Sequence, residues 1–172
     1  KSFTLKHGII DPDLDSNKGF TPSETECDHT VNIKSGAFYG MTASYIDILV
    51  DVSFDDEDDE NSPYLDYEKG HSADIFSNSS VRGITLPNNI TYLPKSMFAD
   101  CTNLREIKST DALVDVNNIS NSITAIGSDA FSGCTALLNL YIPNSVTTMG
   151  NSVFNNWGST DIVQRIHFND MY

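Results

Sequence analysis

Four histidines, one acidic run and one Asx-rich loop are where chemistry would have to sit in this chain. His7, His29, His71 and His167 stand outside any nucleophile-elbow, H-E-x-x-H or papain-like context, and no Gly-rich loop is present to cradle a phosphate. An enzyme is therefore not expected, and no cofactor. Asp13, Asp15, Asn17 and Glu24 fall at positions one, three, five and twelve of a Ca²⁺ loop, with Phe20 where such a loop keeps its apolar residue. Lys18 occupies the place of the required glycine, which comes one residue late as Gly19. Residues 1–10 alternate like a strand, so the flanking helix is missing too. The expected reading is an Asx-rich turn in an acidic cap, with Ca²⁺ as the alternative. The run Asp55-Asp-Glu-Asp-Asp-Glu60 reads as a solvated loop. It could instead collect Ca²⁺ by charge or draw in a basic partner.

The elements that would carry these residues are bounded by composition. The chain has 172 residues, 39% of them hydrophobic and 10% aromatic, enough for one ordinary domain or one short solenoid. Its formal charge of −14 argues against nucleic acid and anionic membrane surfaces, which want basic patches. No run of about 18 apolar residues exists to span a bilayer. The chain opens on Lys1 without Met, as a trimmed form would, so the lack of a signal peptide says nothing about export. Cys27, Cys101 and Cys134 show no C-x-x-C spacing, so zinc is not expected.

Three stretches repeat one another. They are Ile90-Thr-Tyr-Leu-Pro-Lys-Ser-Met-Phe98-Ala-Asp-Cys101, Ile123-Thr-Ala-Ile-Gly-Ser-Asp-Ala-Phe131-Ser-Gly-Cys134 and Val146-Thr-Thr-Met-Gly-Asn-Ser-Val-Phe154-Asn-Asn-Trp157. Apolar residues stand eight and five before the Phe, and a Cys or Trp stands three after. An apolar triplet follows: Leu137, Leu140 and Ile142 before Pro143, or Val81, Ile84 and Leu86 before Pro87. Val163, Ile166 and Phe168 match this triplet, as do Tyr45, Ile48 and Val50, while Leu104 and Ile107 begin another. Five units result, anchored on Phe38, Phe76, Phe98, Phe131 and Phe154. Steps of 22 and 23 residues are regular, whereas the 38-residue and 33-residue steps hold insertions, placed at 53–70 and 109–118. The alternating triplet predicts a short strand that Pro ends. The Ala-Phe-x-x-Cys segment predicts a turn of helix or 3₁₀, making an α/β repeat solenoid. The phenylalanines should stack in one buried column. Cys101 and Cys134 share a repeat position and should be stacked core thiols, with a disulfide as the alternative.

The wording I-x-x-I-G-x-x-A-F-x-x-C-x-x-L-x-x-L-x-I-P resembles the BspA-type leucine-rich repeat. Residues 123–143 match almost completely, 84–108 and 142–168 well, and 30–52 and 73–87 in part, with His71 at one of the upstream apolar places. The resemblance implies a right-handed coil of about five turns over residues 29–172, with residues 1–28 as an N-terminal cap. It also implies an exported protein at the cell surface or outside the cell, of bacterial or protist source, acting in adhesion or host-matrix binding. Asn78-Ser-Ser, Asn89-Ile-Thr and Asn118-Ile-Ser fit the glycosylation acceptor pattern, for which chance is the default and a surface site in a protist the alternative.

Side chains between the triplet positions should point out of the stack. They are Asp47 and Leu49, Gly83 and Thr85, Glu106 and Lys108, Asn139 and Tyr141, Arg165 and His167. Repeat surfaces of this kind bind partners, and Tyr and Arg are the usual anchors. The expected binding residues are Asp47, Thr85, Glu106, Lys108, Asn139, Tyr141, Arg165 and His167, with Tyr141, Arg165 and His167 strongest. The expected partner is a protein or a matrix or host-surface ligand, met by a monomer. A carbohydrate-binding surface protein and a structural spacer are the alternatives.

Overall fold

The computed structural model describes residues 2–5, 30–54, 73–110, 117–158 and 165–169. All strand pairings among them are parallel, as stacked coils require. One face of the coil carries β1 (Ser2–Leu5), β3 (Tyr45–Ile48), β5 (Gly83–Leu86) and β7 (Glu106–Ser109) in that order, and β9 (Asn139–Pro143) paired with β11 (Arg165–Asn169). A second face carries two-residue strands. These are β2 (Val31–Asn32) paired with β4 (Val52–Ser53), and β6 (Tyr92–Leu93), β8 (Ala125–Ile126) and β10 (Thr148–Met149) side by side. The third side is a run of turns centred on each anchoring Phe. The core fills the space between, and Ile84, Leu86, Ile107, Leu140 and Ile142 all turn into it.

The turn runs hold no helix, contrary to the expected turn of α or 3₁₀ structure. Two residues in every run have positive φ, two before and two after the Phe: Gly36/Gly40, Asp74/Asn78, Ser96/Asp100, Asp129/Gly133 and Ser152/Asn156. Alternating left-handed residues break any helix and build overlapping β-turns instead. Met97 N donates to Pro94 O, Ala99 N to Ser96 O and Cys101 N to Phe98 O. The intervening N–H groups reach the next coil: Ser96 to Ser128 O, Phe98 to Ala130 O and Asp100 to Ser132 O. Half the amides close the turn and half bond the stack, so the backbone is satisfied without a helix.

The Phe column forms as expected, although only Phe76, Phe98 and Phe131 are buried while Phe38 and Phe154 are half-buried. Phe38, Phe76, Phe98, Phe131 and Phe154 stack at centroid separations of 5.1, 5.5, 5.5 and 5.8 Å, with rings within 15° of parallel. Phe3 of β1 extends the column at one end and Trp157 at the other. Cys101 and Cys134 are buried free thiols. Each donates to the carbonyl of the preceding coil's phenylalanine, Cys101 to Phe76 O at 3.0 Å and Cys134 to Phe98 O at 3.2 Å. Burial pushes both thiols up from their ordinary range. Among the described glycines Gly150 lies tightest against a neighbouring coil, since a Cβ there would lie 2.3 Å from Ser128 N.

One triplet was misplaced. Ile46 pairs with Ile84, so Ala43, Ile46 and Ile48 are the core triplet, not Tyr45, Ile48 and Val50. Tyr45 pairs with Gly83 and is 50% exposed. The apolar Val50, itself buried, drew the alignment two residues late. The unit of Phe76 lacks apolar residues just upstream in sequence, and the structure supplies them from further back. Buried Val52 and Phe54 lie on and beside β4, which pairs with β2. His71, Val163, the acidic run 55–60 and the 6–29 segment lie outside the described residues.

Candidate binding face

Parallel pairing places the outward side chains in two rows. Tyr45, Gly83 and Glu106 align in the first, and Asp47, Thr85 and Lys108 in the second. On the other sheet Asn139 aligns with Arg165, and Tyr141 with His167. Every candidate from the sequence therefore stands on one face. Thr85 Oγ1 donates to Asp47 Oδ1 at 2.7 Å, and Lys108 Nζ pairs with Glu106 Oε1 at 2.6 Å. Tyr141 and His167 stack with centroids 4.3 Å apart and planes at 12°. The pairings bring the candidates into two groups. Asn139, Tyr141, Arg165 and His167 line a shallow groove of about 470 Å³ with Glu106. Asp47, Thr85 and Lys108 line a smaller hollow of about 230 Å³ with Tyr45 and Glu106.

The residue that makes the groove is one the sequence reading passed over. β7 and β9 do not pair; Asn117 lies between them. Its Oδ1 accepts from Ile107 N at 3.0 Å, and its Nδ2 donates to Arg105 O at 2.8 Å. Its own carbonyl accepts from Tyr141 N at 2.8 Å, and Asn118 bridges to Tyr141. The side-chain amide thus imitates a peptide group on the β7 side while the backbone serves β9. A side chain turned sideways into the sheet leaves a gap in the outward row, and Arg105 and Asn117 complete the groove there. Asn89 uses the same device on the second face, bonding Val52 N and O at 3.2 and 2.8 Å.

These bonds also bear on the acceptor-pattern asparagines. Asn89 is tied to Val52, and Asn118 Oδ1 is buried with no hydrogen-bond partner among the described residues. Asn78 is exposed, and its Nδ2 donates to Tyr39 Oη at 2.9 Å. Asp13, Asp15, Asn17 and Glu24 lie outside the described residues, among which no group of three or more His, Cys, Asp or Glu is placed to hold a metal.

A family model described as the BspA type leucine rich repeat region (6 copies) matches residues 69–118 and 112–170, more than half of the chain. The chain belongs to this family. As a BspA-type repeat protein it is also similar to solved structures. The pneumococcal vaccine antigen PcpA has a TM-score of 0.54 and 20% identity, with 96% of this chain and 40% of that one covered. A leucine-rich repeat protein from Bacteroides capillosus has a TM-score of 0.47 at 20% identity, covering 74% of this chain and 78% of that one. A leucine rich cell surface protein from Faecalibacterium prausnitzii has a TM-score of 0.43 at 22% identity, covering 81% and 36%. At such identities the likeness is one of fold. The repeat protein spans 40% of the length of the PcpA chain. No curated protein sequence matches it.

Proposed function

We propose that this BspA-type solenoid is a binding module of the cell surface or extracellular space, engaging a protein or matrix partner through its strand face and performing no catalysis. The observation that carries the reading is the groove between β7 and β9. It gathers two arginines, a Tyr–His ring stack and two asparagines where two parallel sheets adjoin. Side chains held by neighbouring strands lose little freedom on binding, which favours affinity. Tyr141 and Arg165 stand outside the core, so removing them should leave the fold intact.

The test is a panel of extracellular-matrix proteins and a glycan array, probed with the parent chain and with Tyr141→Ala/Arg165→Ala at two salt concentrations. Loss of binding in the double variant, with an unchanged circular dichroism spectrum, is the expected result. Unchanged affinity would move the site off this face. A carbohydrate reading gains support from Tyr45, a second half-exposed ring on the same face as the Tyr141–His167 stack.

A further inference from the structure

All three arginines of this chain, Arg82, Arg105 and Arg165, stand at the start of a strand on one face. Arg82 immediately precedes β5, Arg105 immediately precedes β7, and Arg165 opens β11. Arg105 N donates to Arg82 O, so these two are neighbours across the sheet. The chain carries 24 acidic residues against ten Lys and Arg, so an anion is repelled by most of the molecule. This rim is an exception in sign. Neither Arg105 nor Arg165 forms an ion pair among the described residues. The carboxylate nearest to them in the groove, Glu106, is already engaged by Lys108. Guanidinium forks match carboxylates bidentately.

The shape of the groove narrows the ligand. Neighbouring strands lie about 4.8 Å apart, so the missing outward side chain at Asn117 opens a slot roughly two spacings wide. Tyr141 lines one wall and Glu106 the other. Asn117 and Asn139 add planar amides, and the lining offers no deep apolar pocket of the kind that anchors a peptide side chain. A flat, hydroxyl-rich ring suits the slot beside Tyr141, and an anionic substituent on that ring would meet Arg105 and Arg165. We propose that the groove takes a carboxylated saccharide, a pyranose ring bearing a carboxylate. This rests on the reading that the strand face binds a partner.

The purified chain is titrated with a glucuronate-containing hyaluronan hexasaccharide, with an oligogalacturonate and with sialyllactose. Neutral chitohexaose and poly-L-glutamate serve as controls. At least one carboxylated glycan should bind, and the arm that does so tells a hexuronate from a sialic acid. Chitohexaose should be weaker by about tenfold or more, as loss of a charge-assisted pair would give, and poly-L-glutamate, which keeps the carboxylates but lacks the ring, should also be weaker. Arg105→Ala and Arg165→Ala should each weaken that glycan by about tenfold while the circular dichroism spectrum stays unchanged. Raised salt should weaken it further. Equal binding of chitohexaose, preference for poly-L-glutamate, indifference to both arginine variants, or no binding of any carboxylated glycan would each overturn the proposal. The matrix-protein panel separates the two levels. If Tyr141→Ala/Arg165→Ala abolishes matrix binding and the glycans fail, the face still binds and only the ligand class falls. If the panel is bound equally by parent and variant, the binding face itself is wrong.

Discussion

Phe131 lies between Phe98 and Phe154 with no exposed surface, so its ring serves two coils at once. Phe131→Ala should cost about 3–5 kcal/mol, because neighbouring rings fixed by their own coils cannot collapse into the cavity. Urea unfolding followed by tryptophan fluorescence checks this, since Trp157 abuts the end of the same column. Asn117→Ala removes a different support. It strips the acceptor from Ile107 N and the donor from Arg105 O, and should cost about 1–3 kcal/mol. Asn117→Asp keeps the acceptor for Ile107 N but sets a carboxylate oxygen against Arg105 O, so it should not restore the lost stability in the same assay. The two thiols set a pH dependence. Burial raises the folded-state pKa of Cys101 and Cys134 above the ordinary value of 9.0. Below that value both states hold the proton and stability is unaffected. Above it only the unfolded chain ionises, so stability should fall as pH rises past about 9. Urea midpoints at pH 8 and pH 10 should differ less in a Cys101→Ala/Cys134→Ala variant than in the parent.

At the scale of the element, the turn run decides how coils stack. Its left-handed positions suit Gly, Asn and Asp, yet Ser96 and Ser152 occupy two of them. Ser152 is exposed, and its φ of 56° carries a conformational penalty. Ser152→Gly should raise the melting temperature slightly, the relief of about 1 kcal/mol being partly offset by greater freedom of the unfolded chain. Ser152→Val should lower it, because a β-branched residue tolerates this φ least. Differential scanning calorimetry of the pair tests the turn geometry directly. A helical turn at this place would order the two variants the other way, since Val is the better helix former of the two.

Across the whole molecule, each coil relies on its neighbours, and the two ends are unequal. The N-terminal end has β1 laid in register on β3, with Phe3 against Phe38. At the other end, Phe168 of β11 is 65% exposed, whereas its partner Ile142 on β9 is buried. Stability in a stack of repeats is a sum of coil and interface terms, so coils with two neighbours should open last. Amide hydrogen exchange should be slowest at Phe76 and Phe98, whose N–H groups bond the next coil, and fastest along β11. Equal protection along the whole stack would mean that the solenoid unfolds as one unit and that its exposed end is no weaker than its middle.

The repeat was legible in the chain because its determinants are local and periodic. An apolar residue every second place in the strand and a Phe every coil are enough to state the solenoid, the ring column and the outward phase of Glu106, Tyr141, Arg165 and His167. The Asn, Asp, Ser and Gly flanking each Phe at two residues were equally visible, and reading them as left-handed positions would have excluded the helix. Tertiary structure alone decided the rest. The place of Tyr45 depended on which strand it met, since Val50 offers the same apolar signal two residues later. The groove depended on Asn117, an ordinary residue at the end of an irregular insertion. It becomes a peptide substitute only when β7 and β9 stand on either side of it. Spacing in a sequence records what a residue does within its own coil, and a hydrogen bond to another coil leaves no period to read.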